Sequence, residues 1–311
     1  MNSIRVNVAR VSVHNKPNLG LVCITRSPEL RYRTVTRKTY LGLGEAGRDR
    51  LEEIYRHNLD VLFRAVAFCA AHDIQLYRVS AKLFPLATWK DGVGAEVLKD
   101  LELLMAPFGD LAQRRGVRVL VHPDQFVVLN SERPEVVVAS IKELEHHAYV
   151  FDKLGLPRSP WALMNIHGGK GGRSEALTET ISALPENIKS RLTLENDEHI
   201  YSAAEILEVC QRTGVPMVFD AHHHVVKEGL AGLEDASVGD YTEQARATWT
   251  PPEWQLVHLS NGKDGPQDRR HSDFIEQFPS AFERVEWVEL EAKAKEEAIF
   301  ALRRAGARAV K

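Results

Sequence analysis

The chain has few cysteines, no long apolar run and no excess of one charge, and each shortage excludes something. Only Cys23, Cys69 and Cys210 occur in 311 residues, far apart and without a CxxC spacing. Buried, reduced thiols in a cytosolic protein are therefore expected, not a disulfide framework or a thiolate metal site. No stretch reaches the roughly 18–20 uninterrupted apolar residues of a membrane span. The opening run Met-Asn-Ser-Ile-Arg-Val-Asn-Val enters strand-like sequence with no apolar signal region ahead of it, so a cytoplasmic location is expected. The formal net charge of -3 does not announce a nucleic-acid binder. Repeats, low-complexity tracts and linkers are also lacking. With 44% hydrophobic residues to build one large core, residues 1–311 are expected to form a single domain.

What is present is an alternation of strand-like and helix-like segments. Ile4–Ala9 reads as a first strand. Residues 48–72 read as a helix, with Leu51, Ile54, Leu59, Leu62, Val66 and Cys69 near helical spacing. Leu76–Val79 reads as a second strand and 95–115 as one helix. Further strands are read at Val117–His122, Trp161–His167, Leu192–Glu195, Met217–Asp220, Gln255–His258 and Val288–Glu291. Helices follow from about Pro134 and after Arg173, Ser202 and Ala292. Near-continuous apolar strands such as VRVLVH and WALMNIH suit a sheet covered on both faces. Eight strands, mostly each followed by a helix, predict a (βα)8 TIM barrel. Residues 10–47 are too long for a turn and are expected to be an N-terminal insertion near the barrel mouth.

Six of these strands end on a residue able to bind a divalent metal: His122, His167, Glu195, Asp220, His258 and Glu291. Strand C-termini converge at the mouth of such a barrel, so six in succession predict one metal cluster there. Imidazole and carboxylate without thiolate suit Mn, Zn or Fe in a hydrolytic site. Within Asp220-Ala-His-His-His, His223 is the favoured further ligand, with His222 or His224 as packing. Glu195, whose two oxygens can bridge two ions, is the expected centre. Glu289 shares a strand face with Glu291 but lies deeper, where a buried charge needs a partner. Lys293 lies near the mouth and could meet a phosphate oxygen. Asp197 and Glu198 read as helix-entry or solvated acids.

Other features leave alternatives open. Residues 1–40 carry eight Lys or Arg against one acid, Glu29. Such an arm, including Arg31, Arg33, Arg37 and Lys38, could hold phosphates, and an ordinary solvated loop accounts for it equally well. Gln125 and Phe126 follow His122 and suit base contact and stacking, but also a capping Gln and a Phe folded over the core. The glycines of His167-Gly-Gly-Lys-Gly-Gly permit close backbone approach to a ligand, although the segment is not a P-loop.

Taken together, His122-Pro-Asp-Gln-Phe, Asn165-Ile-His-Gly-Gly, Leu194-Glu-Asn-Asp-Glu, Asp220-Ala-His-His, Val257-His-Leu-Ser and Glu291-Ala-Lys, in that order, resemble the UV damage endonuclease family. The resemblance implies a TIM barrel related to endonuclease IV and xylose isomerase, with two or three divalent ions, most often manganese. It implies double-stranded DNA carrying UV lesions as partner, and incision immediately 5′ of photoproducts and at abasic sites. The family's ligand positions fall on His122, His167, Glu195, Asp220, His223, His258, His271 and Glu291, and its lesion probe on Gln125 and Phe126. Glu195, Glu291 and Lys293 are the expected catalytic residues, with Arg31, Arg33, Arg37, Lys38, Arg269 and Arg270 on the DNA. No membrane or protein partner is implied, and the enzyme would work on the nucleoid.

The sequence departs from the family at several points. Asp124 stands where a glycine is expected, and Phe126 where some relatives have Tyr. Leu256 stands where some have a Lys, and no N-terminal tyrosine aligns at Val8 and Ala9, so Tyr32 and Tyr40 are offered in its place. The competing readings are a metal-dependent sugar isomerase or epimerase on the same barrel, needing fewer ions and a closed pocket, and a DNA-binding barrel without activity.

Overall fold

In a computed structural model, residues 17–309 are described. Eight strands are β1 (Asn18–Val22), β2 (Leu76–Val79), β3 (Arg118–Val121), β4 (Met164–His167), β5 (Leu192–Glu195), β6 (Met217–Asp220), β7 (Leu256–Leu259) and β8 (Trp287–Leu290). All neighbours pair in parallel and the sheet closes, β8 on β1, into the expected barrel. In chain order the helices are α1 (Arg37–Gly42), α2 (Gly47–Ala71), α3 (Val93–Asp100), α4 (Glu102–Met105), α5 (Phe108–Arg115), α6 (Pro134–Lys153), α7 (Ser174–Ser182), α8 (Glu186–Lys189), α9 (Ala203–Thr213), α10 (Ala221–Glu228), α11 (Ala236–Arg246) and α12 (Glu296–Ala309). Most strands and the long helix α2 fall where the apolar pattern puts them, within a few residues at each end.

The first strand corrects the sequence reading. Ile4–Ala9 lies outside the described residues, and β1 is Asn-Leu-Gly-Leu-Val at 18–22. This element lies inside the expected insertion, which shrinks to residues 23–46 between β1 and α2. Its glycine hides it from a propensity count and is also what lets it fit. A Cβ on Gly20 would stand 2.5 Å from Leu76 Cδ2 and 3.2 Å from the Glu289 Cα. The helix expected over 95–115 is three helices, and Pro107 accounts for the break ahead of α5. Between β7 and β8 the described residues contain no α-helix, only an isolated bridge from Gly262 to His271 and a 3-10 turn, Ser280–Arg284.

The N-terminal end of the barrel is closed by an apolar floor. Leu76, Leu120, Leu163, Val218, Leu256, Trp249 and Trp287 pack there, with Trp161 and Trp254 at the edge. Arg118, fully buried, rises through them. Its guanidinium donates to the carbonyl oxygens of Trp161, Trp254 and Pro160, each at 2.9 Å. It also lies 5.0–5.8 Å from the rings of Trp161, Trp287 and Trp249. Burial pushes its pKa down to about 9.

Candidate active site

The opposite end of the barrel is open, with a cavity of about 810 Å3 lined by His122, His167, Glu195, His223 and Glu291 among others. Local sequence explains how these side chains arrive together. Pairing puts His167 level with Glu195, and His258 level with both Asp220 and Glu289. Asp220 ends β6 and caps α10, its Oδ1 accepting the His223 N–H at 2.7 Å, so the helix starts at once and carries His223 over the mouth.

Glu195 is the centre of the group. Its carboxylate lies 3.3 Å from His122 Nε2, 3.4 Å from His223 Nδ1 and 3.0 Å from His258 Nδ1. Asn165 donates to Glu195 Oε2 at 2.5 Å and is itself held by Thr193 at 2.8 Å. Burial would raise the Glu195 pKa, but His258, His167, His122 and His223 hold it well below the usual carboxylate range. Burial likewise works against a charged His223, yet Asp220 and Glu195 push its pKa well above the ordinary value. At Glu291, burial is overcome chiefly by Arg78 and then His258, and the carboxyl falls to about 2. His271 reaches in from the long connection after β7, where a bridge from Gly262 to His271 sets it 3.7 Å from Glu291 Oε2.

These groups fit divalent ions. His122, His167 and Glu195 form one cluster of potential donors, and Glu195, Asp220 and His223 a second that shares Glu195. Asp220 Oδ2 and His167 Nδ1 are buried polar atoms with no hydrogen-bond partner, which is costly unless something else binds them. His122 Nδ1 donates to the Pro123 carbonyl at 2.9 Å and His223 Nδ1 to the Asn196 carbonyl at 3.1 Å. In His122 this leaves Nε2, the nitrogen nearest Glu195, free as a lone-pair donor, the orientation usual for ligating histidines, whereas His223 turns its Nε2 toward Glu198 at 3.7 Å.

Several expected residues stand elsewhere. Gln125 and Phe126 project from the rim, Phe126 being 76% exposed, which disposes of a Phe folded over the core. Lys293 is exposed, and its backbone N–H donates to the Ser272 carbonyl. Arg31, Arg33, Arg37 and Lys38 are exposed but do not line the cavity; Arg33 pairs with Glu53 on α2 at 3.0 Å, and Arg37 lies 4.0 Å over Trp89. Arg270 is matched by Asp264 and Asp268, and Arg269 contacts His199. The expected role of Tyr32 and Tyr40 needs correction. Tyr32 Oη is bonded to Tyr77 Oη at 2.7 Å and Tyr40 donates to Asp91 at 2.8 Å, so both hydroxyls are engaged inside the protein. Arg5, Arg10 and Lys16 lie outside the described residues. Asp197 is not solvated; it is buried and accepts the N–H groups of His199, Ile200 and Tyr201. Glu198 lines the cavity. The sequence reading missed Arg78, which β2 sends inward onto Glu289 and Glu291. The available signal was a lone cation inside an otherwise apolar strand, Leu-Tyr-Arg-Val.

A closed parallel barrel with such a cluster at its C-terminal mouth defines an enzyme of the TIM-barrel class. UV-endonuclease UvdE, as a family, matches residues 17–311, and the chain belongs to that family. It is 54% identical over 289 residues to a UV DNA damage endonuclease of Deinococcus radiodurans, covering 92% of this chain and 95% of the relative. It is 51% identical over 296 residues to one from Nostoc sp. PCC 7120, covering 95% and 92%. The crystal structure of SacUVDE superposes with a TM-score of 0.78 at 28% identity, over 93% of this chain and 99% of that one. Endonuclease IV from Thermus thermophilus shares the fold, with a TM-score of 0.55 at 15% identity. The protein is thus a DNA repair endonuclease, and its substrate is DNA.

Proposed function

We propose that the chain incises double-stranded DNA immediately 5′ of UV photoproducts, both cyclobutane dimers and 6-4 products, and at abasic sites, using two or three divalent ions, manganese by preference. The observation that carries this reading is Glu195, buried and ringed at 3.0–3.4 Å by three imidazoles, beside the unpartnered Asp220 Oδ2 and His167 Nδ1. His122, His167 and Glu195 would hold one ion and Glu195, Asp220 and His223 another, with His258, His271 and Glu291 completing the set. When bound, such ions activate water and stabilise the leaving oxygen of a phosphodiester. Glu195 and Glu291 stay ionised to bind them, Asn165 fixes the Glu195 carboxylate, and Lys293 neutralises a phosphate oxygen. Gln125 and Phe126, exposed at the rim beyond His122, enter the gap left when weakly stacked damaged bases leave the helix. The flank carrying Arg31, Arg33, Arg37 and Lys38, with Arg269 and Arg270, contacts backbone phosphates farther out. The work is placed in the cytoplasm, on the nucleoid, without a protein partner.

The test is nicking of supercoiled plasmid, UV-irradiated or untreated, by protein loaded with manganese or stripped by chelator. Nicks should appear in the irradiated, manganese-loaded sample at the level of the photoproducts. Equal nicking of both plasmids, or nicking that survives chelation, would refute the reading. Metal analysis of protein purified without chelator should give at least two ions per chain.

A further inference from the structure

Three of the imidazoles around Glu195 have a fixed partner on one ring nitrogen, and one partner is unlike the others. His122 and His223 are oriented by backbone carbonyl oxygens. His258 turns Nδ1 inward, 3.0 Å from Glu195 Oε1 and 3.7 Å from Glu291 Oε1, and its Nε2 faces Glu289 Oε1 at 3.1 Å. Both His258 and Glu289 are fully buried. Glu289 is in turn held by the Arg78 guanidinium, whose Nη2 also reaches Glu291 Oε1 at 2.5 Å. Position on the barrel explains the arrangement. Glu289 stands level with His258 on β8, and Gly20 of β1, with no side chain, leaves room beside it.

We infer that Glu289 is a positioning residue for the metal centre: held by Arg78, it keeps the proton of His258 on Nε2 and so leaves Nδ1, which faces Glu195 and Glu291, free to ligate. This rests on the metal reading given above. An isolated buried carboxylate would be costly, and Arg78 offsets that cost for Glu289 and Glu291 together. A carboxylate accepting the outer N–H of a ligating imidazole fixes its orientation and makes it a stronger donor. Arg78 Nη2 is itself 3.4 Å from His258 Nε2, and donation along that line would place the proton on Nδ1 instead. Because Nδ1 is the nitrogen that faces Glu195 and Glu291, an ion bound there would displace its proton and leave Nε2–H to Glu289, and the two arrangements have opposite signatures.

The full chain is loaded with Zn2+ as a diamagnetic probe and the His258 ring nitrogens are read by 15N NMR, alongside calorimetric Zn2+ affinity. The expected result is metal on Nδ1 and the proton on Nε2. Glu289→Leu should weaken Zn2+ binding by roughly 10- to 100-fold. Glu289→Gln keeps an acceptor for Nε2–H, so it should retain the tautomer and lose clearly less affinity than Glu289→Leu. If Glu289→Leu does not fold, the tautomer in the wild-type and Glu289→Gln proteins decides the matter. Metal on Nε2, or wild-type affinity in Glu289→Leu, would overturn the inference while leaving the metal centre standing. Wild-type protein that binds no Zn2+ would instead refute the metal reading itself.

Discussion

Two buried arginines, on neighbouring strands of one barrel, meet opposite surroundings. Arg118 on β3 rises through the floor, satisfied by three carbonyl oxygens and tryptophan rings and, among the described residues, with no carboxylate bonded to it. Arg78 on β2 lies nearer the mouth and is bonded to Glu289 and Glu291. Carbonyl dipoles and aromatic faces satisfy a cation without storing negative charge, so the floor can be locked and left alone. Carboxylates around Arg78 store charge that a divalent ion can share. The difference separates a part of the molecule that holds the barrel shut from the part proposed to do its chemistry.

The sharpest way to break this comparison is to remove each cation in turn. Arg118→Met strands three carbonyl groups and should cost at least about 3 kcal/mol of stability, whether or not manganese is present, because unsatisfied buried groups cost about 1–3 kcal/mol each. Arg78→Met leaves two buried carboxylates unpaired and should cost a similar ~3–5 kcal/mol in stripped protein. Manganese should restore most of that loss, since an ion bound to the native state supplies the missing positive charge. Denaturant melts of both variants, with and without metal, make the check; identical metal responses would erase the distinction.

Next in size is Glu195→Gln, which keeps the shape of the mouth and removes its central charge. Incision of irradiated DNA should fall by roughly 10²-fold or more, with metal content reduced and the floor undisturbed. Near-wild-type incision would put the centre of the site elsewhere.

At the rim, Phe126→Ala should weaken binding to photoproduct DNA by roughly 5- to 150-fold, the equivalent of about 1–3 kcal/mol of base stacking. Metal content and affinity for undamaged DNA should hardly change. Equal weakening on both DNAs, measured by fluorescence anisotropy, would make this loop a general contact. The smallest effect is expected from replacing Arg31, Arg33, Arg37 and Lys38 by Gln, away from the cavity. The slope of log affinity against log salt should flatten by about 0.9 for each phosphate no longer neutralised, and an unchanged slope would mean that these residues do not touch DNA.

The same division explains what the sequence made legible. Strand ends bearing His, Glu or Asp could be read because apolar runs mark strands and a parallel barrel brings their C-termini together. His122, His167, Glu195, Asp220, His258 and Glu291 gather at the mouth for that reason, and His223 follows on the helix that Asp220 caps. Arg78 and Glu289 were harder, since their meaning depends on pairing across strands far apart in sequence, β2 with β8 on either side of β1. Strand β1 escaped because glycine at position 20 weakens its pattern while serving the packing. His271 could not be read from its surroundings, because a loop bridge, not a strand end, delivers it.

The most direct measurement uses a duplex oligonucleotide with one cyclobutane dimer, labelled on the damaged strand and incubated with manganese-loaded protein. Sequencing-gel mapping should give a single cut at the phosphodiester immediately 5′ of the dimer, leaving a 3′-hydroxyl and a 5′-phosphate, absent after chelation and in Glu195→Gln. A cut at another bond, cutting of the undamaged duplex at the same rate, or incision by stripped protein would contradict the account.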